Sequence, residues 1–407
     1  MKRVFVVLAA VAAVATSAAP TASPVAMKAP DPCALGSHRP LWIDFADGSV
    51  PFWEVFARPG VIAAASNFIF PAQLRARGAK TIYWDMHLDR RVGTPTEPLD
   101  PGLVVERANR LYTYAAASTG CARPMIAENE LFSAAAVAPW SRTNTQYRND
   151  VLLFLQTLAR HGAHPVLLVS VRPYTGGVAY DWWRAVAEVS DIVREVYFPG
   201  PRVYERGPSL GTRFMRIAFR SSMTDFLELG IPPSRLGLML GFQTTPGQGG
   251  RERLNRAAWL RLVKLQAFAA KTVARDLHLN TIWSWGWGVW SKGEDDPDKP
   301  AAACVWLWAR EPKLCDAPKV AGPAFNASRR EGQLSLPHNV RCTVFGTRRV
   351  RWDVDAALGR LVGDSEAGFT AAYARTVASS YVRIAPKRVA AAERALVELR
   401  FGGKRSA

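Results

Sequence analysis

Carboxylic acids recur at the ends of short apolar runs in this chain, at the alternate spacing that puts side chains on one face of a strand. In LWIDFA, Trp42 and Asp44 share a face; in TIYWDMHL, so do Tyr83, Asp85 and His87. RPMIAENEL aligns Ile126, Glu128 and Glu130, and DIVREVYF aligns Val193, Glu195 and Tyr197. A further run, TIWSWGW, aligns Trp283, Trp285 and Trp287, with Trp290 close behind, and GFQTTPG ends another run on Gln243. Two carboxyl groups in unlike surroundings are the equipment for splitting a glycosidic bond. One stays protonated and donates to the leaving oxygen, while the other is ionised and attacks the sugar or activates water. Glu128 and Glu130, if both face inward, would raise each other's proton affinity. Indole faces suit the apolar CH faces of a sugar ring, with acids and amides meeting its hydroxyl edge. Burying one such face is worth on the order of 1–2 kcal/mol.

Each residue also has a structural reading. Any of the acids can pair with one of the many arginines, and Glu195 adjoins Arg194 and could face outward. Asp44 can cap a turn or bridge to Arg, and His87 can be a hydrogen-bonded structural histidine. Trp283 reads as core filling, whereas Trp287 and Trp290, beyond the strand core, read as ligand contacts.

Eight strand-like runs must position these groups: 41 to 46, 61 to 66, 80 to 86, 124 to 129, 165 to 171, 191 to 198, 236 to 242 and 281 to 287. Helical periodicity fills the gaps, most clearly at 102 to 118, 145 to 161, 211 to 229 and 251 to 277. Strict alternation over about 250 residues predicts an α/β fold, a (β/α)8 TIM barrel whose site lies at the carboxyl ends of the strands. An open doubly wound sheet gives the same alternation, but the first strand is followed by DGSVPFWEVF and lacks that fold's Gly-rich turn.

The expected organisation is a signal peptide over 1–26, the barrel over 38–310, a linker over 311–342 and a small appendage over 343–407. The appendage starts with a strand-like TVFGTRRVRW and continues into helical patterns at 353 to 362 and 366 to 398. The leader has Lys2 and Arg3, an apolar run, and small residues up to Ala26. That pattern is a cleaved secretory signal; as a membrane anchor the run falls short of the ~20 residues of a spanning helix.

The 407 residues carry a formal net charge of +18. Export and the even spread of arginine argue against a nucleic-acid partner and leave association with anionic cell-surface polymers, or an Arg-rich coding background. The five cysteines form no C-x-x-C pair. Disulfides are therefore expected in place of a metal site, with Cys304 and Cys315 as one pair and Cys33 and Cys121 at one end of the barrel. There is no G-x-S-x-G, H-E-x-x-H or P-loop, and the chemistry needs no cofactor. GEDDPD, 293 to 298, reads as a solvated loop over the barrel mouth, since it lacks the spacing of a calcium loop.

Over about residues 38 to 310 the chain resembles the TIM-barrel glycoside hydrolase superfamily. AENELF resembles the Asn-Glu ending of the fourth strand in its largest clan, which implies Asn129 and Glu130 as the acid/base pair of positions. A Trp-containing eighth strand is also usual there. That clan carries its nucleophile Glu at the end of the seventh strand, where this chain has Gln243. Other hydrolase barrels pair acids on the fourth and sixth strands, which implies Glu195 as the second carboxylate, with Glu128 as a substitute for either. Asp44, Asp85 and His87 would hold hydroxyl groups, Tyr197 and Gln243 would add contacts, and Trp285, Trp287 and Trp290 would form the sugar platform.

The expected protein is a secreted glycoside hydrolase with a glycan substrate. A binding protein on a barrel that lost its second acid, and an extracytoplasmic assembly factor, are the alternatives. The second rests on GTRRVRWDVDAALGRLVGD, which resembles the start of the helical chaperone region of extracytoplasmic foldases.

Overall fold

The computed structural model describes residues 33 to 131, 141 to 245, 250 to 290, 292, 294 to 322 and 325 to 332. The expected signal peptide, the appendage over 343–407 and Cys342 lie outside the described residues. Strands β1 (Leu41–Phe45), β2 (Ile62–Ala65), β3 (Lys80–Asp85), β4 (Met125–Glu128), β5 (His164–Val169), β6 (Asp191–Glu195), β7 (Leu236–Gly241) and β8 (Thr281–Trp285) pair in parallel and in sequence order. The circle closes where β8 meets β1, with Ile43 opposite Trp283. Each strand lies within or overlaps a run read from the sequence, and the fold is the (β/α)8 barrel.

The helices around it are α1 (Ile69–Ala76), α2 (Leu88–Val92), α3 (Pro101–Thr119), α4 (Arg142–Arg160), α5 (Ala179–Val189), α6 (Gly200–Tyr204), α7 (Gly207–Glu228), α8 (Arg256–Leu277), α9 (Lys299–Arg310) and α10 (Ala317–Ala321). Their starts follow local chemistry. Asp100 accepts from the Gly102 amide at 2.8 Å ahead of Pro101, and Asn255 accepts from the Ala258 amide at 2.9 Å.

Two apolar layers share the strands. Ile43, Phe45, Ile82, Trp84, Ala127, Leu168, Val193, Met239 and Trp283 fill the barrel interior. Ala63, Ile126, Leu167, Ile192, Leu238 and Ile282 point the other way, into the helices. Because both faces are buried, the strands are near-continuous apolar runs. Residues 311 to 332, expected as linker, are packed where described: Leu314, Ala317 and Ala321 are buried, Cys315 is bonded to Cys304, and Phe325 meets the Trp308 ring at 5.6 Å. Cys33 is bonded to Cys121. Among the described residues no helix is long and apolar enough to cross a membrane.

One helix carries an electrostatic cost. Asp150 on α4 is 1% exposed, accepts from Gln146 Nε2 at 2.8 Å, and has no partner for Oδ2 among the described residues. Burial pushes its carboxyl up to about 6. A carboxyl raised above its unfolded value of about 3.9 costs nothing when both states are protonated, and costs progressively more as pH rises to the folded value. Asp150→Asn is thus expected to stabilise the protein by on the order of 2 kcal/mol at pH 7.5, with the gain vanishing near pH 3.5. Urea unfolding at the two pH values measures this; an equal effect at both would remove the electrostatic explanation.

Candidate functional site

The carboxyl ends of β4 to β8 surround a cleft of about 410 Å³. Leu168 and Met239 line it from β5 and β7, and Asn129, Glu130, Glu195, Tyr197, Gln243 and Trp285 supply its polar and aromatic groups. Regular pairing of β4 ends at Glu128. The amide of Asn129 then bonds to Asp85 O at 2.9 Å and that of Leu131 to Leu168 O at 3.0 Å, and both Asn129 and Glu130 reach the cleft. Glu195 and Tyr197 follow Val193 on the inner face of β6. Gly241 makes room for Tyr197, because a Cβ there would stand 2.6 Å from the tyrosine ring.

Glu195 is 8% exposed, whereas Glu130 lies at the exposed rim. Burial pushes the Glu195 carboxyl up to about 7, and the neighbouring Glu130 adds to the rise, while the Tyr197 hydroxyl and the Arg194 guanidinium oppose it. Glu130 is thus close enough for its charge to favour the protonated form of Glu195. Burial and the adjacent Glu195 push the Tyr197 phenol far up, so it stays a neutral donor; its hydroxyl also lies 3.3 Å from Met239 Sδ. The Trp285 ring stacks between Tyr197, at 5.8 Å and 17°, and Trp290, at 6.2 Å and 23°.

Other expected site residues lie elsewhere, and strand parity is the reason. Ile43 and Phe45 take the interior side of β1, so Asp44 faces the helices and not the mouth. It is fully buried and accepts from Ser284 Oγ (2.7 Å), Trp306 Nε1 (2.7 Å) and Arg310 Nη1 (2.8 Å). Ile82 and Trp84 likewise turn Asp85 outward, where Arg91 on α2 donates to it at 2.7 and 3.3 Å. Glu128 sits opposite Asp85 in the register and is fully buried, so it does not share a face with Glu130 in the cleft. Neither of its oxygens meets a donor among the described residues. Burial, then Asp85, push its carboxyl well above the usual range, so Glu128 carries its own proton and can donate it to Asp85. His87 precedes α2, half exposed and 3.9 Å from Asp89.

The tryptophan run splits. Trp287 is fully buried, stacked on Phe242 at 4.3 Å and bonded through Nε1 to Ser284 Oγ at 2.8 Å, so the platform expected there does not form. Gly286 breaks the alternation: at φ +86° it turns the chain, and a Cβ would stand 2.7 Å from the Gln243 amide. Trp290 is half-buried against Trp84 and Trp285, and its amide donates to Glu294 Oε2 at 2.7 Å.

The loop expected to be solvated is tied down. Glu294 is 2% exposed, Arg251 bonds Asp296 at 2.6 Å and Asp298 at 2.9 Å, and the buried Lys299 donates to Gly288 O. No pattern in GEDDPD announces that its partners are Arg251 and Arg256, some 40 residues earlier. Arg91, by contrast, lies on α2 only six residues after Asp85, so the sequence itself places a cation near that acid. Among the described residues no group of three or more His, Cys, Asp or Glu side chains is placed to hold a metal ion.

No family model matches the chain, and no curated protein matches its sequence. Solved structures do align. D-psicose 3-epimerase with D-tagatose from Clostridium cellulolyticum H10 is 11% identical, covering 66% of this chain and 98% of that one at a TM-score of 0.37. An L-ribulose 3-epimerase is 10% identical, with coverages of 67% and 96% and a TM-score of 0.37. A GH138 enzyme targeting pectin rhamnogalacturonan II is 8% identical, with coverages of 75% and 54% and a TM-score of 0.22. These neighbours are sugar-processing enzymes, and at such scores the likeness carries no functional argument.

Proposed function

We propose that this protein is a carbohydrate-active hydrolase that cleaves a glycosidic bond at the mouth of its barrel. The observation that carries the reading is the Glu130–Glu195 pair, two neighbouring carboxyls of unlike burial in a cleft walled by Trp285 and two amide side chains, Asn129 and Gln243. The buried Glu195 is the member that keeps the proton near neutral pH, so it donates to the leaving oxygen. Glu130 at the exposed rim is the partner that attacks the sugar or activates water. This exchanges the roles implied by AENELF. Tyr197, Asn129 and Gln243 bond hydroxyl groups, and the exposed part of Trp285 meets a ring face. Glu128, Asp85, Asp44 and Trp287 act behind the site, by holding its walls. No cofactor enters these steps. Residues 1–26 export the chain, the two disulfides are compatible with an oxidising compartment, and the positive charge favours anionic surface polymers over nucleic acid.

The test is release of reducing ends from a panel of polysaccharides and aryl glycosides, with Glu195→Gln as the control that binds and does not cleave. Trp285→Ala is expected to weaken oligosaccharide binding about ten-fold, measured by titration calorimetry. An unchanged affinity would remove the ring from the site.

A second reading has its own observation. Gln243 stands where the resembled clan has its nucleophile. A glycan-binding protein without turnover fits that substitution. It predicts saturable binding by the unmodified protein with no product from any member of the panel.

A further inference from the structure

The amino ends of the strands, opposite the cleft, enclose a second and larger hollow of about 540 Å³. Its floor is apolar, made of Leu35, Leu41, Met125 and the Cys33–Cys121 disulfide. The ionisable groups of its wall are Arg39, Arg123 and His164, and no Asp or Glu lines it. The acid behind the wall, Asp191, is fully buried and already occupied: it meets His164 Nε2 at 3.0 Å and Arg235 Nη1 at 3.5 Å, and accepts from Asn280 Nδ2. It therefore does not neutralise the two arginines. Arg39 uses one donor on Gly36 O at 3.0 Å, and Arg123 has no ion pair among the described residues. Both guanidiniums lie at the exposed rim, each with donors left over.

This end of a barrel ordinarily serves stability. A hollow there whose charged lining is all of one sign concentrates anions, and forked guanidinium donors select phosphate or carboxylate oxygens. We propose that the hollow binds a small molecule carrying a phosphate or carboxylate group on a sugar-sized body. The oxyanion sits between Arg39 and Arg123, and the body lies on the apolar floor, which a bare phosphate would leave unfilled. The site is independent of the cleft: Leu41, Thr81, Met125 and His164 lie at or near the amino ends of β1, β3, β4 and β5, and the two linings share no residue.

Titration calorimetry on the full chain at low salt tests this with glucose 6-phosphate, glucuronate, inorganic phosphate and glucose as probes. The expected result is saturable one-to-one binding of glucose 6-phosphate or glucuronate that weakens at high salt, weaker binding of inorganic phosphate, and none of glucose. An Arg39→Ala/Arg123→Ala double variant, checked for an unchanged circular dichroism spectrum, should weaken it at least about ten-fold. Glu195→Gln should leave it unchanged. Absence of binding by both sugar acids, equal affinity in the double variant, or inorganic phosphate binding as tightly as glucose 6-phosphate would each overturn the proposal. Loss of binding in Glu195→Gln would move the ligand to the cleft.

Discussion

Asp44→Ala is expected to destabilise the protein by about 3–5 kcal/mol, a cost set by what the carboxylate leaves behind. Asp44 is fully buried between β1 and α9 and receives bonds from Ser284, Trp306 and Arg310. The Arg310 side chain is 3% exposed, and besides Asp44 it meets Gly60 O at 3.4 Å and lies over the Trp42 ring at 5.9 Å, so truncation leaves a buried guanidinium without its counter-charge. Trp306 Nε1 loses its acceptor as well. Asp44→Asn keeps the shape and one acceptor but not the charge, and should fall between the two. Urea unfolding measures all three proteins, and Asp44→Ala combined with Arg310→Met should recover part of the loss, because the stranded charge is gone. A loss below about 1 kcal/mol for Asp44→Ala would sink this account. A ligand contact would behave differently, with weakened binding and unchanged stability.

Asp44 also shows what a barrel sequence conceals. Alternation placed Asp44, Asp85 and Glu128 correctly on one face of their strands, but it carries no label for which face is inside. In a half-exposed sheet the polar face is the solvent face. In a closed barrel both faces are buried, and here the larger side chains, Phe45, Trp84 and Trp283, take the interior while the acids turn to the helices. The cations that make this tolerable, Arg310 and Arg91, come from other elements and cannot be read at the strand. Glu195 was legible because Val193 and Tyr197 extend the same inner face to the rim. Glu130 reaches the cleft for a different reason, the end of regular pairing after Glu128. Trp287 was misplaced by a single residue, since the φ of +86° at Gly286 sends it to the helical layer. The order of the strands and their starts, to within one residue, were legible because Gly, Pro and polar segments punctuate them, whereas the runs at β5, β6 and β8 overran the strands by two or three residues at the carboxyl end.

Glu195→Gln is expected to lower turnover of glycosides with poor leaving groups by about 10³-fold while leaving binding intact, within the 10²–10⁴ range for removal of a general acid. The distinguishing readout is leaving-group dependence: a dinitrophenyl glycoside needs no proton, so its cleavage should fall far less. The pH profile gives a second. With the Glu195 carboxyl at about 7, kcat/KM should decline above about pH 7 as the pair loses its proton, and this limb should vanish in the variant. In Glu130→Gln the residual rate should show the same limb at lower pH, because a charge that raises Glu195 is gone while burial remains. Stability supplies a readout that needs no substrate. A carboxyl raised from its unfolded value costs nothing below about pH 4 and most above pH 7, so Glu195→Gln should gain on the order of 2 kcal/mol at pH 8 and nothing at pH 4. A stability gain without any turnover in the unmodified protein would keep the raised Glu195 carboxyl and favour the binding reading. Neither a stability gain nor a pH limb would mean that the Glu195 carboxyl does not keep its proton near neutral pH, and the hydrolase proposal would lose its acid.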